Sequence, residues 1–234
     1  MPENNIRRSA LDSLESQQRF DTVLAEIDDL DGFDTAYGVE TSRPVEPWEI
    51  READDTTLVN NSRYSPTPVR TIRLVISAAG VRYEDMSFVD FGCGKGRVLF
   101  VAADFPFRRV IGVEFSSELC EIARKNAASY SAKVSNERPI DVVCRDARDF
   151  EIPDDAGFFY FYEPFSAAVT ERVLDNIEAS LARAPRAVVL CLVGTALVPV
   201  LDGRGSWSRL GGTLASPDDA YFEARLYTNP RDLR

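Results

Sequence analysis

The chain of 234 residues is long enough for one sizeable hydrophobic core, its apolar fraction of 44% is typical of a globular protein, and its net charge is −11. It has four cysteines without a CxxC pair and no histidine, which excludes histidine-dependent triads and argues against a zinc site of the Cys/His type. We expect no metal and interpret the cysteines as reduced, buried side chains of a cytoplasmic protein.

The acidic charge lies mainly at the start of the chain. Residues 1–60 carry 15 acidic and 5 basic side chains, whereas residues 61–234 carry 23 acidic and 22 basic ones. An acidic chain without a basic stripe is a poor candidate for binding nucleic acid. We also expect no membrane contact, because the first ten residues are polar and the longest apolar stretch, 187–201, is too short to span a bilayer. No pattern indicates an oligomeric state.

The N-terminal part predicts two helices with a loop between them. Residues 9–29 place apolar side chains at helical spacing, whereas residues 30–62 are polar and contain glycines and prolines. A second helix is predicted after Pro66-Thr67-Pro68 and ends near Gly80. Its apolar face comprises Val69, Ile72, Val75 and Ile76.

From residue 87 onward, short apolar segments alternate with helical patterns. The predicted strands are 87–91, 109–114, 140–144, 157–162 and 187–193, and the predicted helices are 96–104, 117–130 and 167–183. This alternation predicts a parallel sheet with helices on both faces. Residues 207–214 and 221–227 predict an antiparallel pair of strands at the sheet edge.

The segment DFGCGKGR, residues 90–97, follows the first of these strands and opens a helix. Glycines allow a tight turn and a close approach to a ligand, and a helix N-terminus offers N–H donors. The GxGxG spacing differs from the GxGxxG of dinucleotide-binding proteins. A glycine-rich turn without a ligand is the alternative. The candidate contacts are Asp90, Gly92, Gly94, Gly96 and Arg97.

Two further acidic residues follow later strands. Glu114 ends the second strand, 18 residues beyond Gly96, where a carboxylate suits two ribose hydroxyls, as it does in NAD enzymes. Asp146 follows the third strand and can accept a hydrogen bond from an adenine amine. An ordinary strand-end carboxylate and an ordinary helix-capping aspartate are the alternatives.

In this order, Asp90-x-Gly-x-Gly-x-Gly, Glu114 and Asp146 resemble the motifs of class I S-adenosylmethionine (SAM)-dependent methyltransferases, over about residues 60–230. The resemblance implies a Rossmann-like α/β fold with a seven-strand sheet of order 3-2-1-4-5-7-6, its last strand antiparallel. It implies that the glycine loop with Arg97 holds the methionine part of SAM. By the same resemblance, Glu114 holds the ribose and Asp146 meets the adenine, with Phe115 and Ala147 as further cofactor contacts.

Three segments resemble a group of small bacterial methyltransferases that share a Tyr-x-Pro-Thr loop with some seven-strand protein-lysine methyltransferases. They are Tyr37-Gly-Val-Glu-Thr41, Tyr64-Ser-Pro-Thr-Pro68 and Glu163-Pro-Phe165. This resemblance implies that Tyr64 and Thr67 contact the amino-acid part of SAM. It also implies that Glu163, Pro164 and Phe165 form the catalytic side, with Glu163 orienting an amine. The last motif departs from the family's Asn/Asp/Ser-Pro-Pro-aromatic pattern, and a plain strand-end turn is the alternative.

These patterns together predict a SAM-dependent methyltransferase acting on an unidentified acceptor, with a nitrogen of a protein lysine or a small-molecule amine favoured. A non-catalytic SAM-binding regulatory or scaffold protein and a nucleotide-dependent oxidoreductase are the alternatives. We divide the chain into an acidic N-terminal extension of helix and loop, residues 1–60, and a methyltransferase domain, residues 61–234. The extension is interpreted as a lid over the substrate.

Overall fold

The computed structural model describes residues 32–50, 63–134, 138–216 and 219–230. The helix predicted for residues 9–29 lies outside these ranges. Within them, eight strands form one sheet in the order β3-β2-β1-β4-β5-β8-β6, with β7 paired to β8. The strands are β1 Ser87–Phe91, β2 Val110–Glu114, β3 Ile140–Cys144, β4 Ala156–Tyr162, β5 Val189–Val193, β6 Ser208–Arg209, β7 Leu214–Ser216 and β8 Asp219–Thr228.

Helices cover both faces of the sheet. They are α1 Phe33–Tyr37, α2 Val69–Ala78, α3 Arg97–Ala102, α4 Ser117–Lys133, α5 Ala167–Arg183 and α6 Val198–Asp202, with short 3-10 turns at Pro47–Glu49, Tyr83–Asp85 and Ala147–Asp149. The helix predicted after Pro68 is confirmed, and the stretch predicted as loop contains α1 and the turn Pro47–Glu49. None of the helices in the described ranges is long and apolar enough to cross a bilayer.

The predicted fold class is confirmed, with one difference in the strand count. Strands β1 to β5 are parallel, and β8 pairs antiparallel with β5. The tail segment 207–214, predicted as one strand, contributes two short strands, β6 and β7. Gly211 lies between them with a positive φ of 77°, a backbone conformation that interrupts an extended strand.

The central strands are fixed by two aromatic cores on opposite faces of the sheet. On one face, Phe88 stacks on Phe158 at 5.4 Å between ring centroids, near α2 and α3. On the other, Phe91 stacks on Phe161 at 5.0 Å, near α5. Burying one such side chain contributes about 2 to 3 kcal/mol. The carboxyl ends of β1, β2 and β4 are therefore rigid supports for the side chains that follow.

The cysteines only partly match the prediction. All four are free, and Cys93, Cys120 and Cys191 are buried, but Cys144 is exposed. Cys144 ends β3, which lies at the edge of the sheet and is covered less completely than the central strands.

Candidate functional site

A cavity of about 270 Å³ opens at the carboxyl ends of β1, β2 and β4. Parallel α/β sheets bind their ligands at this edge. Twelve of the fourteen predicted site residues line it: Tyr64, Thr67, Asp90, Gly92, Gly94, Arg97, Glu114, Phe115, Asp146, Ala147, Pro164 and Phe165. Gly96 and Glu163 are not among the lining residues.

The glycine loop is shaped by side chains that pack directly against it. Gly94 has a φ of +52°, and a Cβ there would lie 2.1 Å from the Tyr64 ring. A Cβ at Gly92 would lie 2.5 Å from Cβ of Pro164. At Gly96 a Cβ would meet the Phe100 ring at 2.8 Å, so this glycine serves the start of α3 and not the cavity. The loop thus joins the Tyr64 segment to the Pro164 segment.

Glu114 connects the end of β2 to the glycine loop. Its carboxylate is 5% exposed and accepts hydrogen bonds from the N–H groups of Gly94 and Ser116, both at 3.0 Å. A carboxylate has about four lone-pair positions, so capacity remains for the hydroxyls of a ribose. This arrangement fits the predicted role.

Asp90 has a buried carboxylate oxygen without a partner. The residue is 3% exposed, and Oδ2 makes no hydrogen bond to any part of the chain that the structure describes. Burial, followed by the negative charge of Glu114, raises the pKa of Asp90 well above its usual range. Since buried polar atoms are normally hydrogen-bonded, this oxygen marks a position for a donor group of a ligand. The ammonium group of SAM is such a donor, so these residues fit the predicted cofactor.

Asp146 lies at the opposite side of the cavity, at the start of the turn Ala147–Asp149. Its carboxylate accepts a hydrogen bond from the backbone N–H of Arg148 at 2.8 Å and another from the Arg148 guanidinium at 2.6 Å. The hydrogen bonds from the Arg148 side chain are the main reason that the pKa of Asp146 is lowered. Arg148 therefore sets the orientation in which Asp146 can meet an adenine.

The guanidinium of Arg97 is hydrogen-bonded to the segment that follows α1. It donates to Oγ1 of Thr41 at 2.7 Å and to Oγ of Ser42 at 2.8 Å, and it lies 3.4 Å from Asp34. Arg97 therefore lines the cavity, and the N–H groups of its guanidinium hold the segment around α1. The sequence pattern did not predict this, because the partners lie more than 50 residues away.

The segment 37–41 is attached firmly to the glycine loop. Lys95 forms an ion pair with Glu40, and the Asn126 amide donates to the carbonyls of Glu40 at 2.9 Å and Lys95 at 3.0 Å. The Tyr64 hydroxyl donates to the carbonyl of Thr41 at 2.7 Å. The described part of the extension is thus bonded to the glycine loop, and of residues 32–50 only Ile50 lines the cavity.

The proposed boundary after residue 60 also separates two bonded segments. Val45 and Tyr64 exchange backbone hydrogen bonds of 3.1 and 2.9 Å across it. A hinged lid does not need such a connection to the fixed part of the site. For residues 32–50, these contacts favour a structural role over the lid interpretation.

Glu163 does not point toward an acceptor in the cavity. Its Oε1 accepts the N–H groups of Thr195 at 2.6 Å and Ala196 at 2.7 Å, in the loop after β5. Its φ is +40°, a strained value for a residue other than glycine. The carboxylate of Glu163 thus fixes the strand-end turn, and of this motif only Pro164 and Phe165 line the cavity, so a role of Glu163 in orienting an amine stays a prediction.

Two tyrosines of β4 were not predicted as residues of the site. Tyr160 and Tyr162 line the cavity, and Tyr160 is in register with Asp90 on the neighbouring strand. The alternation in GFFYFY could have predicted them. Tyr160 and Tyr162 share one face of the strand, whereas Phe159 and Phe161 share the other.

Comparison with known sequences points to one family. The family model of a methyltransferase domain matches residues 88–184. A protein-lysine N-methyltransferase of Saccharolobus islandicus is 38% identical over 64 residues, which are 27% of this chain and 39% of that relative. The chain therefore aligns with about two fifths of the length of this curated relative.

Solved structures share the fold at low sequence identity. An RNA methyltransferase of Salinibacter ruber in complex with S-adenosyl-L-homocysteine has a TM-score of 0.51 and 19% identity, over 72% of this chain and 99% of that one. A SAM-dependent methyltransferase of Aquifex aeolicus has a TM-score of 0.53 and 13% identity, over 79% of this chain and 98% of that one. With the matching glycine loop and strand order, the fold around residues 88–184 is that of the class I SAM-dependent methyltransferases.

Proposed function

We propose that the protein transfers a methyl group from SAM to the side-chain nitrogen of a lysine in another protein. The observation that carries the proposal is the aromatic wall of the cavity at the end of β4. Tyr162, Pro164 and Phe165 lie there beside the glycine loop, where Pro164 contacts Gly92. An apolar wall of this kind fits the unbranched aliphatic stem of a lysine. The protein-lysine N-methyltransferase relative supports the same acceptor.

SAM supplies an activated methyl group, so the protein contributes position and environment. Glu114 holds the ribose of the cofactor and Asp90 meets its amino-acid end, while Tyr162 and Phe165 orient the acceptor. Alignment of two bound reactants contributes up to about 7 to 11 kcal/mol. The apolar wall also lowers the pKa of an entering lysine, because burial disfavours the ammonium form. The proton therefore leaves to solvent before transfer, consistent with a Glu163 carboxylate that is bonded elsewhere.

The acceptor class is the finer part of the proposal. The expectation against nucleic acid is not supported by the comparisons, because one of the similar folds is an RNA methyltransferase. RNA therefore belongs in the experiment as a competing acceptor. Among the described residues, no feature favours the non-catalytic alternative, which is tested by the same experiment.

The cofactor is tested by calorimetric titration with SAM, S-adenosylhomocysteine and NAD. We expect binding of the first two only. Glu114→Ala removes the acceptor for two backbone N–H groups and for the ribose, so affinity should fall at least about tenfold. Glu118→Ala is the matched control, since it removes an exposed carboxylate in the first turn of α4 that does not line the cavity. NAD binding, or an unchanged affinity of Glu114→Ala, would contradict the cofactor site.

The acceptor is tested with SAM carrying a radioactive methyl group in a cell extract. Label that is removed by protease, resists ribonuclease and is recovered as methyl-lysine after hydrolysis supports the proposal. Label removed by ribonuclease would assign the activity to RNA. Binding of SAM without transfer to any macromolecule or small molecule would favour the non-catalytic alternative.

A further inference from the structure

Two of the four cysteines lie together, at the ends of two elements that meet beside the cavity. Cys120 lies near the start of α4 and is buried, whereas Cys144 ends β3 and is exposed. Cys144 is the side-chain hydrogen-bonding neighbour of the Cys120 thiol. The fold therefore brings a thiol that solvent can reach next to one that solvent cannot reach.

The backbone around Glu114 determines where the two sulfurs lie. Cys144 is the register partner of Glu114 in the pairing of β2 with β3. The Cys120 thiol donates to the carbonyl of Glu114 at 3.4 Å. Sγ of Cys144 lies 3.9 Å from the carbonyl oxygen of Phe115. Because these two carbonyls belong to consecutive residues, the two thiols contact one short piece of backbone.

This piece of backbone belongs to the predicted cofactor site. Glu114 and Phe115 both line the cavity, and so do residues 145–147, which directly follow Cys144. The backbone N–H of Arg145 also donates to the carbonyl of Glu114 at 2.8 Å. Neither Cys120 nor Cys144 lines the cavity itself. A covalent change at the two sulfurs therefore acts on the cavity through the residues beside them.

The exposure of the two thiols determines the order in which an oxidant meets them. Of the four cysteines, all within the described ranges, Cys144 is the exposed one. Burial and the neighbouring Cys144 raise the pKa of Cys120, so its thiol stays protonated and is the weaker nucleophile toward an oxidant in solution. Cys144 therefore reacts first.

Hydrogen peroxide supplies the oxidising equivalents. The Cys144 sulfur takes one oxygen of the peroxide and becomes a sulfenic acid, while the other oxygen leaves as water. The Cys120 sulfur then attacks the sulfenic sulfur: the S–O bond breaks, an S–S bond forms, and the hydroxide leaves with the proton of the Cys120 thiol as a second water. The two thiols lose two electrons in total, and the peroxide gains them.

We infer that Cys120 and Cys144 form a disulfide when the protein meets a peroxide, and that this bond weakens cofactor binding. The two sulfurs of a disulfide are about 2 Å apart, so the end of β3 is drawn toward α4 and the contacts of the thiols with the two carbonyls are lost. The inference rests on the proposed function only through SAM as the cofactor. The identity of the methyl acceptor does not enter it.

The experiment compares the protein treated with hydrogen peroxide and the protein reduced with dithiothreitol. We expect the oxidised protein to lose two hydrogen atoms in its intact mass and to yield a tryptic peptide that joins residues 110–124 to residues 134–145. Calorimetric titration should show S-adenosylhomocysteine binding weakened about fivefold or more, the effect of about one lost hydrogen bond. Dithiothreitol should restore both the mass and the affinity.

Two variants separate this disulfide from other oxidation. Cys144→Ser changes an exposed side chain outside the cavity, so with or without peroxide its affinity should stay within about twofold of that of the reduced wild type. Cys191→Ala removes a buried cysteine of β5 and leaves the pair intact. Peroxide should therefore weaken its S-adenosylhomocysteine binding by the same factor as in the wild type.

Any of four results would overturn the inference. Conversion of Cys144 to a sulfinic acid or to a disulfide between two molecules means that Cys120 does not react with it. An internal disulfide with unchanged affinity means that the bond does not act on the cavity. An equal loss of affinity in Cys144→Ser assigns the effect of peroxide to another residue. These three results leave the proposed function intact, whereas failure of the reduced wild type to bind S-adenosylhomocysteine removes the cofactor assignment as well.

Discussion

Two aspartates near the glycine loop, Asp34 and Asp90, differ in how their carboxyl groups are hydrogen-bonded. The carboxylate of Asp34 accepts four hydrogen bonds of 2.6 to 2.9 Å from Thr41 and Ser42, and Arg97 lies 3.4 Å away. The carboxyl of Asp90 is more deeply buried, and its Oδ2 has no partner in the described structure. Asp34 is connected to the glycine loop through Arg97, whereas Asp90 directly precedes the loop.

The pKa shifts of the two groups are opposite in sign. Burial raises the pKa of Asp34, but the hydrogen bonds from Thr41 and Ser42 and the charge of Arg97 together lower it by more. The pKa of Asp34 is therefore below its usual value. Burial raises the pKa of Asp90, and Glu114 raises it further. A satisfied carboxylate stabilises the fold, whereas an unsatisfied one is available to a ligand. We therefore interpret Asp34 as structural and Asp90 as a binding residue.

The largest expected effect is that of Asp34→Ala on stability. Removing this carboxylate leaves the four hydrogen-bond donors of Thr41 and Ser42 without their acceptor, and the free energy of unfolding should fall by about 3 kcal/mol. Urea unfolding measures the change. Because the pKa of Asp34 is lowered in the folded state, its contribution is present above about pH 4 and is lost as the pH falls below that value. A difference between wild type and variant that does not shrink in acid would contradict this role.

Asp90→Asn should separate binding from stability. Without the negative charge, affinity for S-adenosylhomocysteine should fall about thirtyfold, or about 2 kcal/mol. Stability of the ligand-free protein should rise, because a raised folded-state pKa means that the wild type loses stability as the pH rises from about 4 through that pKa. Titration calorimetry and urea unfolding at acidic and neutral pH measure the two effects. Parallel losses of stability and affinity would make Asp90 a structural residue like Asp34.

The sequence predicted the framework well because local patterns determine it. The strands at Ser87–Phe91 and Ile140–Cys144 and the helix Ala167–Arg183 match their predicted bounds, since unbroken apolar runs and helical spacing are local signals. The tail differed because Gly211 interrupts an otherwise suitable strand. The sheet order came from the family resemblance, because pairing depends on distant residues.

The direction of a polar side chain was much harder to predict. Arg97 and Glu163 belong to recognised motifs, yet their partners are Thr41 and Ser42 for one and the loop at Thr195 for the other. Such contacts join segments more than 30 residues apart. Tyr160 was missed for a different reason: a tyrosine in a strand rich in aromatic residues is indistinguishable from a core residue in the sequence.

Gly94→Ala tests whether the structural region around Asp34 and the binding region around Asp90 both depend on the glycine loop. A Cβ at Gly94 would meet the Tyr64 ring at 2.1 Å, and Tyr64 holds Thr41 through its hydroxyl. We expect a loss of about 2 kcal/mol in stability and a clear loss of cofactor affinity. Gly80→Ala is the control: its φ is also positive, +58°, but nothing lies within 4 Å of the added Cβ. It should cost about 1 kcal/mol and leave affinity unchanged, and equal effects of both changes would exclude the Tyr64 contact as the cause.

The smallest expected effect is that of Glu163→Gln on the rate of methyl transfer. Its Oε1 accepts the N–H groups of Thr195 and Ala196, and a glutamine retains a carbonyl oxygen for the same two donors. Glu163 is therefore satisfied like Asp34 and unlike Asp90, although it belongs to the motif expected to carry catalysis. We expect kcat to change less than about threefold, measured with saturating SAM and the methyl acceptor.

Glu163→Ala sharpens this last prediction. Loss of both hydrogen bonds at a residue with a φ of +40° should loosen the turn that carries Pro164 and Phe165. KM for the acceptor should then rise while SAM affinity stays within about twofold, because Glu163 does not line the cavity. A fall of kcat by more than about a hundredfold in Glu163→Gln, with SAM affinity unchanged, would instead mean that the carboxylate turns to the acceptor during the reaction. The division between satisfied structural carboxylates and unsatisfied binding carboxylates would then fail at the residue where the sequence motif and the structure disagree.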